Sequence, residues 1–378
     1  MGSLLLTGGD VVPPGGVLAG GWVHATGPRL TAVGTGPAPA ADRVTDCTGR
    51  TLVPGFVDVH QHGGGGASYD GGPDAARHAL AVHRAAGTTT VVASLVSLRR
   101  GALDRALDDL TGLVADGELA GVHLEGPWLA PSRCGAHDPA ALRPPTPAEL
   151  ARVLAPGIVR MVTLAPELPG ALEAIAALAG AGVVPAVGHT EAAYGVVRAA
   201  VDAGARVATH LLNAMPAPAG REPGPVLPLL EDPRVTVELI ADGVHLHPAW
   251  ERHVLATAGP ERVALVTDAM AAAGMPDGAY ELGGLAVTVD GGVARLTGGG
   301  TLAGGTATSA RLFRRAVSEL GLSLADAARV TATTPAAALG LADVGALTAG
   351  RRADVVLLDG NWDVRGVLRA GEWVVPPS

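Results

Sequence analysis

From about residue 51 onward, short apolar runs rich in Val, Leu and Ala alternate with longer stretches in which apolar residues recur every three or four positions. The first pattern suits a strand buried on both faces, and the second a helix with one buried stripe. Strands are predicted at 52–59, 88–96, 119–125, 159–165, 183–188, 205–210, 235–241 and 262–267. Helices are predicted at 73–86, 101–115, 146–155, 170–181, 191–203, 248–258 and, more weakly patterned, 225–231. An eighth, at 308–320, follows the last strand after an interruption. Eight strand–helix units point to the α/β class and a (β/α)8, TIM-like barrel. A doubly wound open sheet is the alternative, but it offers no comparable reason for eight repeats.

The flanks break this rhythm. Residues 3–50 and 345–376 read as short strands punctuated by Gly and Pro, and neither half carries enough apolar surface for a sheet of its own. One small β domain built from 1–50 and 345–378 is therefore expected beside a barrel domain at 51–344. Residues 280–296 read as a hairpin inserted after the eighth strand, with Asp-Gly at its turn.

Catalytic groups of such barrels sit at the C-terminal ends of the strands, and the unusual polar residues fall there. The first strand ends in His60 and His62, the third in Glu125, the fifth in His189, the sixth in His210 and the eighth in Asp268. Residues two apart on a strand share a face, so both imidazoles of "HQH" aim one way. Taken singly, a strand-end histidine is more often a hydrogen-bonded turn residue than a ligand. Five strand ends in agreement are hard to explain that way, and His plus carboxylate suits zinc or a similar divalent ion. Glu125, His189 and His210 then serve as ligands and Asp268 as general base and acid. His123 shares the face of Glu125 and reads as a packing or supporting histidine.

Composition narrows the function. A formal charge of −9 argues against nucleic acid and anionic membranes, which need a basic face. Two cysteines cannot form a disulfide framework, no basic leader precedes the first leucines, and no long apolar run suggests a span. A cytoplasmic protein is expected. All 27 basic residues are arginine, which removes a phosphate-loop lysine, a Schiff base and a carbamylated metal-bridging lysine from consideration.

The segments "PGFVDVHQHGGGG", "HLEGPWLAPSRCGAHDP", "VGHT", "THLLNAM", "GREPG", "ADGVHLHP", "VTDAM" and "GTLAGG" together resemble the N-acetylglucosamine-6-phosphate deacetylases of the amidohydrolase superfamily, in order and over nearly the whole chain. The resemblance implies that Glu125, His189 and His210 are metal ligands and Asp268 the catalytic aspartate. His60 and His62 match a pair that some members use for a second ion, so one or two ions per chain, zinc first and Fe²⁺ or another divalent ion after it, are implied. It also implies that His137 contacts substrate, that Asn213 and Ala214 line the phosphosugar site, and that Arg221 and His245 bind phosphate across a homodimer interface. On the residues alone, Arg221 is an ordinary loop arginine. Leu302 is a candidate contact for the acetyl methyl.

The glycines after His62 would on this reading keep the mouth open to a sugar phosphate. Leu212 stands where the family often has an aromatic residue, and the segment after Gly300 is unusually small; both put the exact sugar in question. Alternatives are the epimeric N-acetylgalactosamine 6-phosphate, a cyclic amide, and a sugar-phosphate-binding regulator without turnover.

Overall fold

The computed structural model describes residues 2–378, which cluster into two compact units. One comprises 59–80 and 91–307; the other comprises the segment up to 58, 81–90 and 308–378. Eight parallel strands form a nearly closed barrel: β1 (Phe56–Gln61), β2 (Thr88–Leu95), β3 (Gly121–Glu125), β4 (Val159–Leu164), β5 (Val184–Val187), β6 (Val207–Ala208), β7 (Thr236–Leu239) and β8 (Val263–Leu265). They neighbour one another in chain order, the arrangement of a barrel in which each parallel strand is followed by its helix. The ring closes just beyond β8, where the Asp268 N–H donates to the His60 carbonyl at 2.9 Å and Gln61 bridges Ala269 in parallel. Closure thus brings the last strand's polar residue beside the first strand's histidines.

Local sequence explains where the connecting helices begin. Thr146 caps the helix Pro147–Leu154 by accepting from the Glu149 N–H, with Pro147 in the first turn. His247 does the same for Pro248–Ala258 through the Ala249 N–H. Strands β6 and β8 are shorter than their apolar runs because the backbone turns early. His210 and Asp268 take φ of 27° and 48°, and an extended ladder cannot continue through left-handed residues.

The strand predicted at 52–59 is two strands with different partners. Thr51–Pro54 pairs antiparallel with Val355–Leu358, and β1 starts afresh at Phe56. Between them, a Cβ on Gly55 would sit 2.2 Å from Thr89 Oγ1, so only glycine lets the chain change sheets there. The Thr51–Pro54 pairing also joins the chain's two ends. Val355–Leu358, Val364–Arg369 and Glu372–Val375 extend one side of the sheet, while Ser3–Val11, Leu18–Thr26, Arg29–Gly34 and Arg43–Asp46 extend the other. Leu6, Val11, Val23, Leu30, Leu52, Val355, Leu357 and Leu368 form its common buried core. The expected β domain from both termini is present.

The segment expected as a hairpin has a third strand. Gly278–Leu282, Leu285–Asp290 and Val293–Leu296 make a meander whose tight turns are the glycine pairs 283–284 and 291–292, all at positive φ.

Candidate metal centre and active site

Glu125, buried at the end of β3, is the hub of the barrel mouth. Its Oε1 lies 2.9 Å from both His189 Nε2 and His210 Nε2. Its Oε2 lies 3.2 Å from His62 Nε2, 3.3 Å from His137 Nε2 and 3.6 Å from His60 Nε2. Asp268 Oδ1 closes the group at 3.1 Å from His62 Nε2 and 3.4 Å from His60 Nε2. Two overlapping ligand sets result, His60–His62–Glu125–Asp268 and Glu125–His189–His210, with donor atoms within 4.8 Å of one another.

The chemistry of these donors fits a divalent ion. His189 Nδ1 donates to the Arg133 carbonyl at 2.8 Å, which leaves the Nε2 lone pair aimed inward. It faces His210 Nε2 at only 3.1 Å across Glu125 Oε1. Converging lone pairs of this kind repel unless a proton or a cation sits among them. The electrostatics agree. Burial alone would push the His62 imidazole down, yet hydrogen bonds to Asp268 and Glu125, with their charges, lift it to about 9. Burial likewise opposes protonation of His60, but Glu238 and Glu125 raise it well above the usual histidine range. Burial would raise Glu125, and the charge of His60 and contacts with His137 and His189 instead hold it well below the carboxylate range. The pocket is a negatively charged, cation-seeking cage.

His137 differs from the other histidines around Glu125. The Ser97 backbone N–H donates to its Nδ1 at 3.0 Å, so in the neutral ring the proton is on Nε2, which lies at the cavity wall 3.3 Å from Glu125 Oε2. Burial depresses its pKa to about 4, so the ring is a neutral hydrogen-bond donor at pH 7. His123 is fully engaged below the mouth, with Nδ1 against Ser94 Oγ at 2.9 Å and Nε2 against Thr163 Oγ1 at 2.8 Å.

Above the cage lies a cavity of about 430 Å³, whose walls include Cys134, Asn213, Ala214, His245 and Leu302 beside the cage residues. His245 is fixed by Asp242, whose carboxylate accepts from its Nδ1 at 2.9 Å and from its backbone N–H at 3.0 Å. Arg221 is not part of these walls; it is exposed on a loop. That loop is anchored by Glu222, whose Oε1 accepts from the Tyr194 and Gly224 N–H groups at 2.9 and 3.0 Å.

Two features escape sequence reasoning. Glu238, on β7 and 1% exposed, accepts from His60 Nδ1 at 2.9 Å and from the His210 N–H at 3.2 Å. The available signal was a lone carboxylate inside the apolar run "VTVELIA". The second is backbone strain: His189, His210, Leu212, Ala214 and Asp268 all have positive φ, a cost of about 1–3 kcal/mol each that concentrates at functional sites. The glycines after His62 need another explanation than the one expected. None lines the cavity. A Cβ on Gly63 would meet the Ala67 carbonyl at 2.2 Å, and the N–H groups of Gly63, Gly65 and Gly66 bond to the carbonyls of Ala269, Ala273 and Ala271. They permit backbone-to-backbone packing rather than ligand approach.

The sequence profile of the amidohydrolase family matches residues 51–374. Among solved structures, an aspartate-to-alanine mutant of N-acetyl-D-glucosamine-6-phosphate deacetylase from Mycobacterium smegmatis, in complex with N-acetyl-D-glucosamine-6-phosphate, superposes with a TM-score of 0.96. It is 52% identical and all of each chain is covered. N-acetylgalactosamine-6-phosphate deacetylase of Escherichia coli O157:H7 is 39% identical over 89% of this chain and 90% of its own. N-acetylglucosamine-6-phosphate deacetylase of Bacillus subtilis (strain 168) is 33% identical over 96% of this chain and 94% of its own.

Proposed function

Because the chain belongs to the amidohydrolase family, we propose that it is a metal-dependent deacetylase. It hydrolyses the amide of N-acetyl-D-glucosamine 6-phosphate to D-glucosamine 6-phosphate and acetate. The carrying observation is the convergence of five imidazole Nε2 atoms on the two oxygens of Glu125, with Asp268 closing the group against His60 and His62, beneath a cavity of about 430 Å³. Similarity to the mycobacterial deacetylase with its bound phosphosugar supports the substrate.

Glu125, His189 and His210 would hold one divalent ion, and His60 and His62 a second. The nitrogen and oxygen donors favour zinc. When bound, such an ion supplies Lewis acidity that polarises the amide carbonyl and acidifies water. The remaining work falls to the chain. His137, neutral and lining the cavity, turns its Nε2 proton from Glu125 Oε2 to the acetamide oxygen and orients the carbonyl. Asp268, at the edge of the cage, takes the proton from the attacking water as the carbon–oxygen bond forms. It returns that proton to the sugar nitrogen as the carbon–nitrogen bond breaks. Asn213 and Ala214 line the sugar pocket, and Leu302 meets the acetyl methyl. His245 and Arg221 bind the phosphate, Arg221 from the partner of a homodimer, which its exposed and anchored loop supports. Among the described residues no helix is long and apolar enough to cross a membrane, and with both cysteines free we assign a cytoplasmic location.

The test is acetate release from N-acetylglucosamine 6-phosphate, its galacto epimer and unphosphorylated N-acetylglucosamine. The highest kcat/KM is expected for the first, with the unphosphorylated sugar far behind. A preference for the epimer, in line with the Escherichia coli relative, would move the substrate assignment. Equal use of the unphosphorylated sugar would refute phosphate recognition.

A further inference from the structure

A single carboxylate oxygen sits behind both ligand sets of the cage. Glu238 Oε2 is 2.9 Å from His60 Nδ1 and 3.2 Å from the His210 N–H. His60 belongs to one set and His210 to the other, and Glu125 is the residue the two sets share. Glu238 is 1% exposed, and β7 also anchors the chain after β6 through its backbone, since the Glu238 carbonyl accepts from the Leu211 N–H at 2.9 Å.

Each of the two contacts fixes something a ligand needs. A carboxylate only accepts, so the proton between Glu238 and His60 belongs to Nδ1. With Nδ1 so engaged, Nε2 is the nitrogen His60 offers to a cation, facing Glu125 and Asp268, the orientation by which outer carboxylates raise the basicity of a metal-binding imidazole. His210 has φ of 27°, a conformation that β-substituted residues avoid and that needs external support. The charge-assisted bond to its N–H supplies that support and keeps its Nε2 at 2.9 Å from Glu125 Oε1.

We propose that Glu238 is a positioning residue for both ion positions, its Oε2 holding the His60 ring and the His210 backbone so that the two ligand sets are built together. This rests on the divalent-ion reading above. Glu238 itself does not line the cavity. Its effect is read in metal affinity and not only in turnover.

The experiment is calorimetric titration of the chelated full-length protein with Zn²⁺, for the parent, Glu238→Leu and Glu238→Gln. In Glu238→Leu both binding events weaken by about tenfold or more, the range of lost outer-sphere partners. Glu238→Gln, whose amide oxygen still accepts from both N–H groups, recovers most of the affinity. A merely structural role would lower the melting temperature of the metal-free protein and leave zinc affinity at the parent value. Unchanged affinity in folded Glu238→Leu overturns the proposal, and weakening of only one event overturns the coupling. A parent that binds no zinc overturns the divalent-ion reading, and this proposal with it. Should Glu238→Leu fail to fold, the near-isosteric Glu238→Gln gives a second readout in the zinc-loaded protein. The His60 Nδ1 proton resonance moves upfield as the charged acceptor is lost; an unmoved resonance contradicts the assignment.

Discussion

Two regions of the molecule bury charge, and they balance it differently. In the terminal unit Arg352 forks onto Asp354, with Nε 3.0 and 2.9 Å from the two carboxylate oxygens and Nη2 2.5 Å from Oδ2. Arg352 Nη2 also donates to the Thr89 carbonyl and Thr90 Oγ1, and the Ala370 N–H donates to Asp354 Oδ1. One permanent cation meets one anion, with supporting polar partners on both sides. At the barrel mouth, Glu125, Glu238 and Asp268 are each less than a tenth exposed, and each ion pair they make is with a histidine. Imidazoles carry charge near neutrality only when something holds it on them. A buried pair complete in itself is architecture; a buried anionic cage that is not complete is built for a cation from outside.

The largest effect that separates the two regions is kinetic. Asp268→Asn keeps the shape of the cage but removes the proton carrier, and kcat should fall by about 10²–10⁴-fold. Zinc binding by calorimetry should persist. A variant that keeps parent turnover would move the base elsewhere. Asp354→Ala tests the other side. It leaves the half-buried Arg352, whose side chain is 20% exposed, without its anion, a loss of about 1–3 kcal/mol. Urea unfolding should show the loss while kcat of the folded protein stays at the parent value; a kinetic defect without a stability defect would invert the comparison.

A smaller effect concerns the cavity wall. Burial would lower the pKa of His245, but its hydrogen bond to Asp242 and that carboxylate's charge raise it above 6.5. The folded protein holds this proton more tightly than the unfolded chain, so the stabilisation is fully present below the unfolded pKa and fades as pH rises through the folded one. The imidazolium available to a phosphate fades over the same range, in which a phosphomonoester is already a dianion. KM for the phosphosugar should climb as pH rises through the raised His245 pKa, and in His245→Asn it should be high and flat. A pH-independent KM in the parent would remove His245 from phosphate binding.

Much of this was legible in the sequence because barrels place strand ends in register. An apolar run terminated by His, Glu or Asp needs no contact information to mark a position at the mouth, and five such runs mark one site. The unreadable parts depend on neighbours distant in the chain. Glu238 looks like a polar break in a strand until closure of the barrel sets it behind His60 and His210. The left-handed backbone at His189, His210 and Asp268 carries no residue signal, because glycine, its usual marker, would supply no ligand. Gly63 carried a signal that pointed the wrong way: its missing side chain makes room for the Ala67 carbonyl, not for a sugar. Likewise the apolar run at 52–59 hides a change of sheet at Gly55, since both strands are buried and share one hydrophobic alphabet.

The central claim, that the incomplete charge at the barrel mouth is completed by a catalytic divalent ion, is tested most directly by acetate release from N-acetylglucosamine 6-phosphate. The assay compares the purified protein, the protein after chelation and dialysis, and the chelated protein after zinc is added back. Activity is expected in the first, none in the second and its return in the third. Undiminished release by protein shown to be metal-free would contradict it.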